Sequence, residues 1–249
     1  MQLDFFSAQS AHYATYRPVY PDDLYAFIQS QLHGTDLAWD VGTGNGQAAA
    51  RLAGFMKQVY ASDLSDQQLS HARQLPNIDY RHERAEDCSL PVASADLVTV
   101  ATALHWFDLP AFYKRVDEVL KPGGFFITWS YGGCRVNDDI DPMLDHFNFD
   151  VLYDYWHEGA RINWDDRYRS LPWPYATEPF PDFTARARYT MEELLLYMYS
   201  WSGVQTYIQQ HGVNPLMAFG SELKRVWGDP NERREIRWPL HGKCSHKPG

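Results

Sequence analysis

The densest chemical signal in the chain lies between Asp40 and Gly46. An apolar run, Leu37-Ala38-Trp39, ends in an acid. Asp40-Val41-Gly42-Thr43-Gly44-Asn45-Gly46 then sets three glycines at alternate positions, ahead of the helix-forming Gln47-Ala48-Ala49-Ala50-Arg51-Leu52-Ala53. Glycine lets this backbone take positive φ and lie flat beneath a ligand, and the helix start beyond it offers N–H groups without helical partners. Such a loop cradles part of a nucleotide-like cofactor. Asp63 lies about 20 residues further on, where nucleotide-binding folds place an acid that accepts hydrogen bonds from ribose hydroxyls. His105 and Trp106 follow the apolar, β-branched run Ala95–Ala101, and ligands of open parallel sheets sit beyond the carboxyl ends of strands. The guanidinium fork of Arg17 suits a carboxylate.

Each of these residues also has a plainer reading. Glycine punctuates many loops, and a lone histidine is more often structural. Tyr13 fits a packed N-terminal helix. Asp63 fits a helix N-cap, although Ser65 is the better cap and leaves Asp63 for a ligand. The dinucleotide fingerprint needs its third glycine where this chain has Gln47, so the spacing leans away from a nicotinamide or flavin dinucleotide.

The elements that must position these residues alternate between strand and helix. Pro21-Asp22-Asp23 opens a helix running through Leu32. Strands are expected at the run before Gly42, at Gln58–Ser62 ending on Asp63, at Ile78–His82, at Ala95–Ala101 and at Phe125–Ser130. Helices are expected from Gln47, from Asp66 to Gln74 and from Pro110 to Leu120. From Tyr131 to Tyr189 tryptophans and prolines crowd together. That stretch reads as an insertion covering the site, with a helix from Asp141 to His157 and prolines breaking helical periodicity after Arg161. Ala185–Tyr189 reads as a sixth strand. Thr190 with Glu193 makes a capping box for a helix through Tyr199, a further helix lies around Pro215–Trp227, and Arg233–Leu240 reads as a seventh strand beside an edge. The expected fold is a Rossmann-like, seven-stranded, mostly parallel α/β sheet with helices on both faces and the last strand antiparallel, plus an aromatic cap. It is one domain with an N-terminal arm and helix (1–32), a cofactor-binding core (33–130), a cap insertion (131–182) and a C-terminal part (183–249).

Several segments, taken together, resemble a known family. The acid followed by G-x-G-x-G resembles the first motif of the class I S-adenosylmethionine (SAM) methyltransferases. Tyr16-Arg17-Pro18-Val19-Tyr20-Pro21 and His105-Trp106-Phe107-Asp108 resemble segments of the trans-aconitate type within that class, and Lys121-Pro122-Gly123-Gly124 before a strand is another of its markers. These stand in the family's order and span roughly residues 13–130. The resemblance implies SAM as cofactor, S-adenosylhomocysteine as product and a small-molecule acceptor methylated on a carboxylate or hydroxyl oxygen. It implies Asp40 near the methionyl ammonium, Gly42, Thr43, Gly44 and Gly46 under the cofactor, and Asp63 with Leu64 on the adenosine. Ala85 and Glu86 match the adenine segment, although Arg84 stands where many relatives carry an aspartate. Ala101 and Tyr16 complete the cofactor shell. His105 and Arg17 fall to catalysis, and Tyr13, Trp106, Trp129 and Trp201 to the substrate walls.

Composition narrows the alternatives. A formal net charge of -10 argues against a nucleic-acid footprint, and aromatic residues at 15% suggest an apolar pocket or cap. Cys88, Cys134 and Cys244 form neither a metal-type pair nor a disulfide framework, so a reducing cytoplasm is expected and no metal site. No run approaches a membrane span, and no G-x-S-x-G elbow supports hydrolase chemistry. Three classes stay open at this stage: a small-molecule methyltransferase, an NAD(P)-dependent oxidoreductase disfavoured by Gln47, and a SAM-binding protein without turnover.

Overall fold

Short apolar strands separated by helices join into one hydrogen-bonded sheet. The computed structural model describes residues 16–249, and Tyr13 lies outside the described residues. β1 (Leu37–Val41), β2 (Gln58–Asp63), β3 (Ile78–His82), β4 (Ala95–Ala101), β5 (Leu120–Tyr131), β6 (Thr184–Tyr189) and β7 (Arg234–His246) lie in the order β3-β2-β1-β4-β5-β7-β6. Pairing is parallel from β3 across to β5, and β7 runs antiparallel to both β5 and β6. This is the Rossmann-like sheet expected, with β7 beside the edge strand β6. β1 and β4 are buried along nearly their whole length, as strands covered on both faces must be. The helices are α1 (Asp22–Ser30), α2 (Gln47–Leu52), α3 (Asp66–Ser70), α4 (Leu109–Val119), α5 (Asp141–His146), α6 (Glu158–Asp165), α7 (Met191–Tyr199), α8 (Ser202–His211) and α9 (Leu216–Trp227).

The chain divides into two compact bodies. The first holds Tyr20–Tyr131, Asp166–Phe183 and Leu240–Gly249. On one side of its sheet, Leu24 and Ile28 of α1 and Leu52 of α2 pack with Leu97, Ile127 and Trp129. On the other, the ring of Phe112 from α4 lies 5.9 Å from Trp39, 4.9 Å from Phe107 and 6.0 Å from Phe126. Residues 166–183 are strapped to this body by specific bonds. Trp173 stacks on Phe126 at 4.3 Å and donates its indole N–H to Ser245 Oγ at 2.7 Å. Tyr175 donates to Asp117 at 3.0 Å, and Lys243 Nζ donates to the Leu171 carbonyl at 2.5 Å.

The second body holds residues 16–19, Gly132–Asp165 and Thr184–Pro239. Its centre is aromatic: Trp156, Trp164 and Trp201 have ring centroids 5.1–6.0 Å apart, with Tyr197 against Trp201 at 5.7 Å. α8 can approach this cluster because it carries glycine at Gly203, where a Cβ would meet Trp156 at 2.9 Å. The capping box of α7 is complete, with Thr190 Oγ1 accepting from Glu193 N at 3.2 Å and Glu193 accepting from Thr190 N at 2.9 Å.

Four elements depart from the sequence reading, each for a local reason. The helix expected from Asp141 to His157 is broken: α5 ends at His146, and a π-helical turn over Phe147–Val151 and a 3-10 turn over Tyr153–Tyr155 follow. Asn148 is drawn into the core, where it accepts the Trp156 indole N–H at 3.0 Å. Helical structure then resumes as α6 and continues past Arg161 to Asp165. α3 stops at Ser70 rather than Gln74, because Ser70 Oγ and His71 Nδ1 crowd the Gln67 carbonyl at 2.8 and 2.7 Å. α8 was not anticipated at all, and Gly212 ends it at φ 68°. Finally, β7 runs on past Leu240 to His246, so His241 and His246 belong to a strand paired with β5.

Two substitutions rank the forces at work. Phe112→Ala, which empties a fully buried ring site, is expected to cost about 3–5 kcal/mol, whereas Thr190→Ala should cost only about 1 kcal/mol. Urea unfolding midpoints of the two variants measure the contrast, and equal losses would mean that the aromatic layer is not what holds the first body.

Candidate functional site

The site grows from a buried charge. Asp40, at the end of β1, has no exposed surface, yet no cation neutralises it among the described residues. Its Oδ2 accepts from Thr43 Oγ1 at 2.5 Å and its Oδ1 from Thr99 Oγ1 at 2.7 Å. Burial raises the Asp40 pKa to about 6, against the lowering effect of the two hydroxyls and the Ala49 N–H. One carboxylate thereby ties the glycine loop to β4 and to the start of α2.

The loop itself is held at both ends. Thr43 N donates to the Ser62 carbonyl at 3.0 Å, and Gly44 N donates to Asp63 Oδ2 at 2.7 Å. Gly42 sits at φ 64° with its pro-Cβ side closed, since a methyl there would come within 2.6 Å of Ala103 Cβ. Gly44, at φ 58°, is the opposite case: among the described residues a Cβ would find only Gln68 Oε1, at 4.0 Å. With respect to those residues the backbone is open at Gly44 and closed at Gly42, where the fold must pack. Gly46 is the left-handed N-cap of α2.

Asp63 accepts from Ser65 N at 2.8 Å through its other oxygen, while Ser65 Oγ caps α3 by accepting from Gln68 N. A carboxylate has roughly four acceptor positions, so two backbone bonds leave capacity for ribose hydroxyls. Leu64, 64% exposed, follows it, and its carbonyl accepts from His82 Nε2 at 2.9 Å. Ala85 is buried at the start of a 3-10 turn. Glu86 is already employed within the chain: one oxygen accepts from Asp108 N at 2.8 Å and the other from Arg84 Nε at 3.3 Å. Partial burial works to raise its pKa, but those bonds prevail and hold it below the usual range. Arg84 thus spends its side chain on Glu86 and on Asp87, at 3.5 Å.

The carboxyl end of β4 completes the edge. Ala101 is half-buried, and Thr102 beyond it takes φ 56°, an outlier for a β-branched residue that costs on the order of 1–3 kcal/mol. Two bonds fix it there: its N–H donates to the Trp129 carbonyl at 2.8 Å, and its hydroxyl lies 2.9 Å from that of Tyr20. His105 and Trp106 form the 3-10 turn that follows. His105 Nδ1 lies 2.6 Å from the hydroxyl of Tyr168, and Trp106 is 52% exposed beside it with ring centroids 4.9 Å apart.

The first body therefore brings together Asp40, the three glycines, Thr43, Asp63, Leu64, Ala85, Glu86, Ala101, His105 and Trp106. Trp129 belongs to the same body but has no exposed surface; it backs Tyr20 at 5.4 Å instead of offering a wall. Tyr16, Arg17 and Trp201 belong to the second body. There Tyr16 gives its carbonyl to the Tyr189 hydroxyl at 2.8 Å, Arg17 is exposed, and Trp201 is packed inside the indole cluster. Thr99, Thr102 and Tyr168 were missed. The lone hydroxyl of β4 could have flagged Thr99, whereas nothing local marks Tyr168.

Comparison with known proteins bears on this arrangement directly. A methyltransferase domain model matches residues 39–128, from β1 through the middle of β5. A Dictyostelium discoideum protein named as a methyltransferase is 34% identical over 98% of this chain and 95% of its own length. The chain belongs to the class I S-adenosylmethionine-dependent methyltransferases. A Saccharomyces cerevisiae protein named as a SAM-dependent methyltransferase is 25% identical over 92% of each chain. A solved structure described as a type II methyltransferase, from Anaeromyxobacter dehalogenans, superposes with a TM-score of 0.86 at 32% identity, covering 94% of this methyltransferase and 99% of that chain. No helix among the described residues of the methyltransferase is long and apolar enough to cross a membrane.

The buried acid gives this methyltransferase a specific pH signature. Because the folded pKa of Asp40 lies above the unfolded value of 3.8, the native state holds a proton that the unfolded chain has released between those pH values. Its contribution to stability should then fall as pH rises from about 4 to about 6, by up to about 3 kcal/mol, and stay flat above. Asp40→Asn should remove this component from the stability–pH curve, and an unchanged curve in the variant would place the titration elsewhere.

Proposed function

We propose that this methyltransferase transfers the methyl group of SAM to an oxygen of a small molecule, a carboxylate or hydroxyl. The reading is carried by one observation: on a single strand-end edge of the first body, the open face of Gly44 and the Asp63 carboxylate are held to each other, and His105 follows β4 on that same edge. The residues fit the cofactor. Asp63 has lone pairs left for ribose hydroxyls, the Gly42–Gly46 backbone leaves room for the methionyl portion, and Leu64 offers an exposed apolar side chain for the adenine. Asp40, held beneath the loop, favours a nearby ammonium by its charge. Glu86 supports the adenine segment from behind rather than through a side chain offered to the ring.

When bound, SAM supplies an electrophilic methyl on a cationic sulfur. What the chain must add is alignment: an oxygen held in line with the departing sulfur in a site that excludes water, for which neither covalent nor metal assistance is needed. Trp106 supplies an exposed aromatic face beside His105, suited to a ring or to the sulfonium charge. The chain's net charge of -10 favours a small acceptor over a nucleic acid.

S-adenosylhomocysteine should raise the melting temperature and NAD and NADP should not, because only a ligand of the native state stabilises by mass action. In titration calorimetry Asp63→Ala should weaken S-adenosylhomocysteine by about 1.5–3 kcal/mol, and unchanged affinity in a folded variant would remove Asp63 from the cofactor. With methyl-labelled SAM, a panel of small carboxylic acids, phenols and amines should take label on oxygen; transfer to amines alone would sink the proposal. His105→Ala should lose turnover while keeping cofactor affinity.

A further inference from the structure

Tyr168 is a tightly constrained aromatic residue of the first body, outside its strands and helices. It has no exposed surface, it takes φ 66°, and Arg167 before it takes φ 56°. Two successive non-glycine residues in the left-handed region are costly and persist only where the surroundings over-determine them. Here the turn is closed by Asp166, whose carboxylate accepts from Ser170 N at 2.8 Å, and the chain beyond it is strapped down through Leu171 and Trp173. The ring of Tyr168 is met edge-on by His241 of β7 at 5.2 Å. This constraint holds the phenol oxygen 2.6 Å from His105 Nδ1.

We infer that Tyr168 is a positioning residue that donates its phenol proton to His105 Nδ1, fixing the histidine in the tautomer that carries its own proton on Nε2. The assignment follows from relative acidity. In a neutral phenol–imidazole pair, the phenol O–H is the stronger donor and the bare imidazole nitrogen the stronger acceptor, and 2.6 Å is the distance of a strong bond of that kind. In this tautomer His105 meets the acceptor as a hydrogen-bond donor and cannot take its proton.

The surroundings support the same reading. Burial holds the neighbouring His241 pKa down to about 4, with Arg167 and Arg169 adding to the effect against Asp166, so His241 is neutral at pH 7 and does not displace Tyr168 as a charged partner. Lys243, from the strand that carries His241, is a further cation bonded to this turn.

The inference rests on the proposed oxygen methylation and narrows it, since a histidine locked as a donor serves an acceptor that is already ionised. The first test needs no acceptor. Histidine-selective 15N spectra of the whole protein with S-adenosylhomocysteine, assigned by comparison with His105→Gln, should show His105 protonated on Nε2 and not on Nδ1. Tyr168→Phe, which keeps the ring, should convert this to a mixture of tautomers while leaving S-adenosylhomocysteine affinity within about twofold. The opposite tautomer in the unaltered protein, or no change in the variant, overturns the inference. The second test uses methyl-labelled SAM with aliphatic di- and tricarboxylic acids and with simple phenols. Label on the acids, reduced about tenfold or more by Tyr168→Phe, supports it. Label on phenols alone overturns the donor role but leaves oxygen methylation standing, whereas label on amines alone, added to the same panel as a third arm, overturns oxygen methylation itself.

Discussion

A carboxylate buried with no cation beside it among the described residues is the constraint around which the first body is arranged. Water would solvate Asp40 far better than any interior can, so the fold must surround it with donors. It does so with two threonine hydroxyls from different segments and a helix N–H, and each fixes something the site requires. Thr43 shapes the glycine loop, Thr99 sets the height of β4 beside β1, and Ala49 N–H seats α2. The penalty that remains is visible in the raised pKa. A structural residue would do the packing more cheaply as leucine, so the charge itself points to a use for negative potential beneath the loop.

The two bodies spend their aromatic residues differently. In the second, the three indoles are at contact distance from one another, leaving no room for a ligand between the rings, and they act as the core of a body otherwise made of short helices. In the first, Trp129 and Phe112 serve as core on opposite sides of the sheet, while Trp106 alone is turned outward at the strand edge. Aromatic excess in the composition is therefore mostly a matter of stability, and only a small part of it is available for recognition.

The legibility of the sequence followed the range of the interactions involved. β1, β4, the glycine loop, the Ser65 cap and the Thr190 capping box depend on neighbours a few residues away, and their residues announced them. What escaped depends on distant partners. The break after His146 comes from Asn148 turning inward to an indole, and the outer half of β7 is a strand because β5 offers an edge, despite its histidines and lysine. Tyr168 sits 63 residues from His105 in sequence, within a proline-rich stretch that looked like part of a cap. The side chains of Glu86 and Trp129 are committed to partners that no local pattern reveals.

The placement of β7 has a consequence for how the molecule is made. The outer edge of β5 is satisfied, among the described residues, by Leu240–His246, so until that distant segment has been synthesised a long apolar strand presents an open hydrogen-bonding edge. Pairing between segments so far apart in sequence is slow to form, because the intervening loop must close first. Between the synthesis of β5 and that of its partner segment, a nascent chain therefore carries an edge at which it can stick to itself or to others.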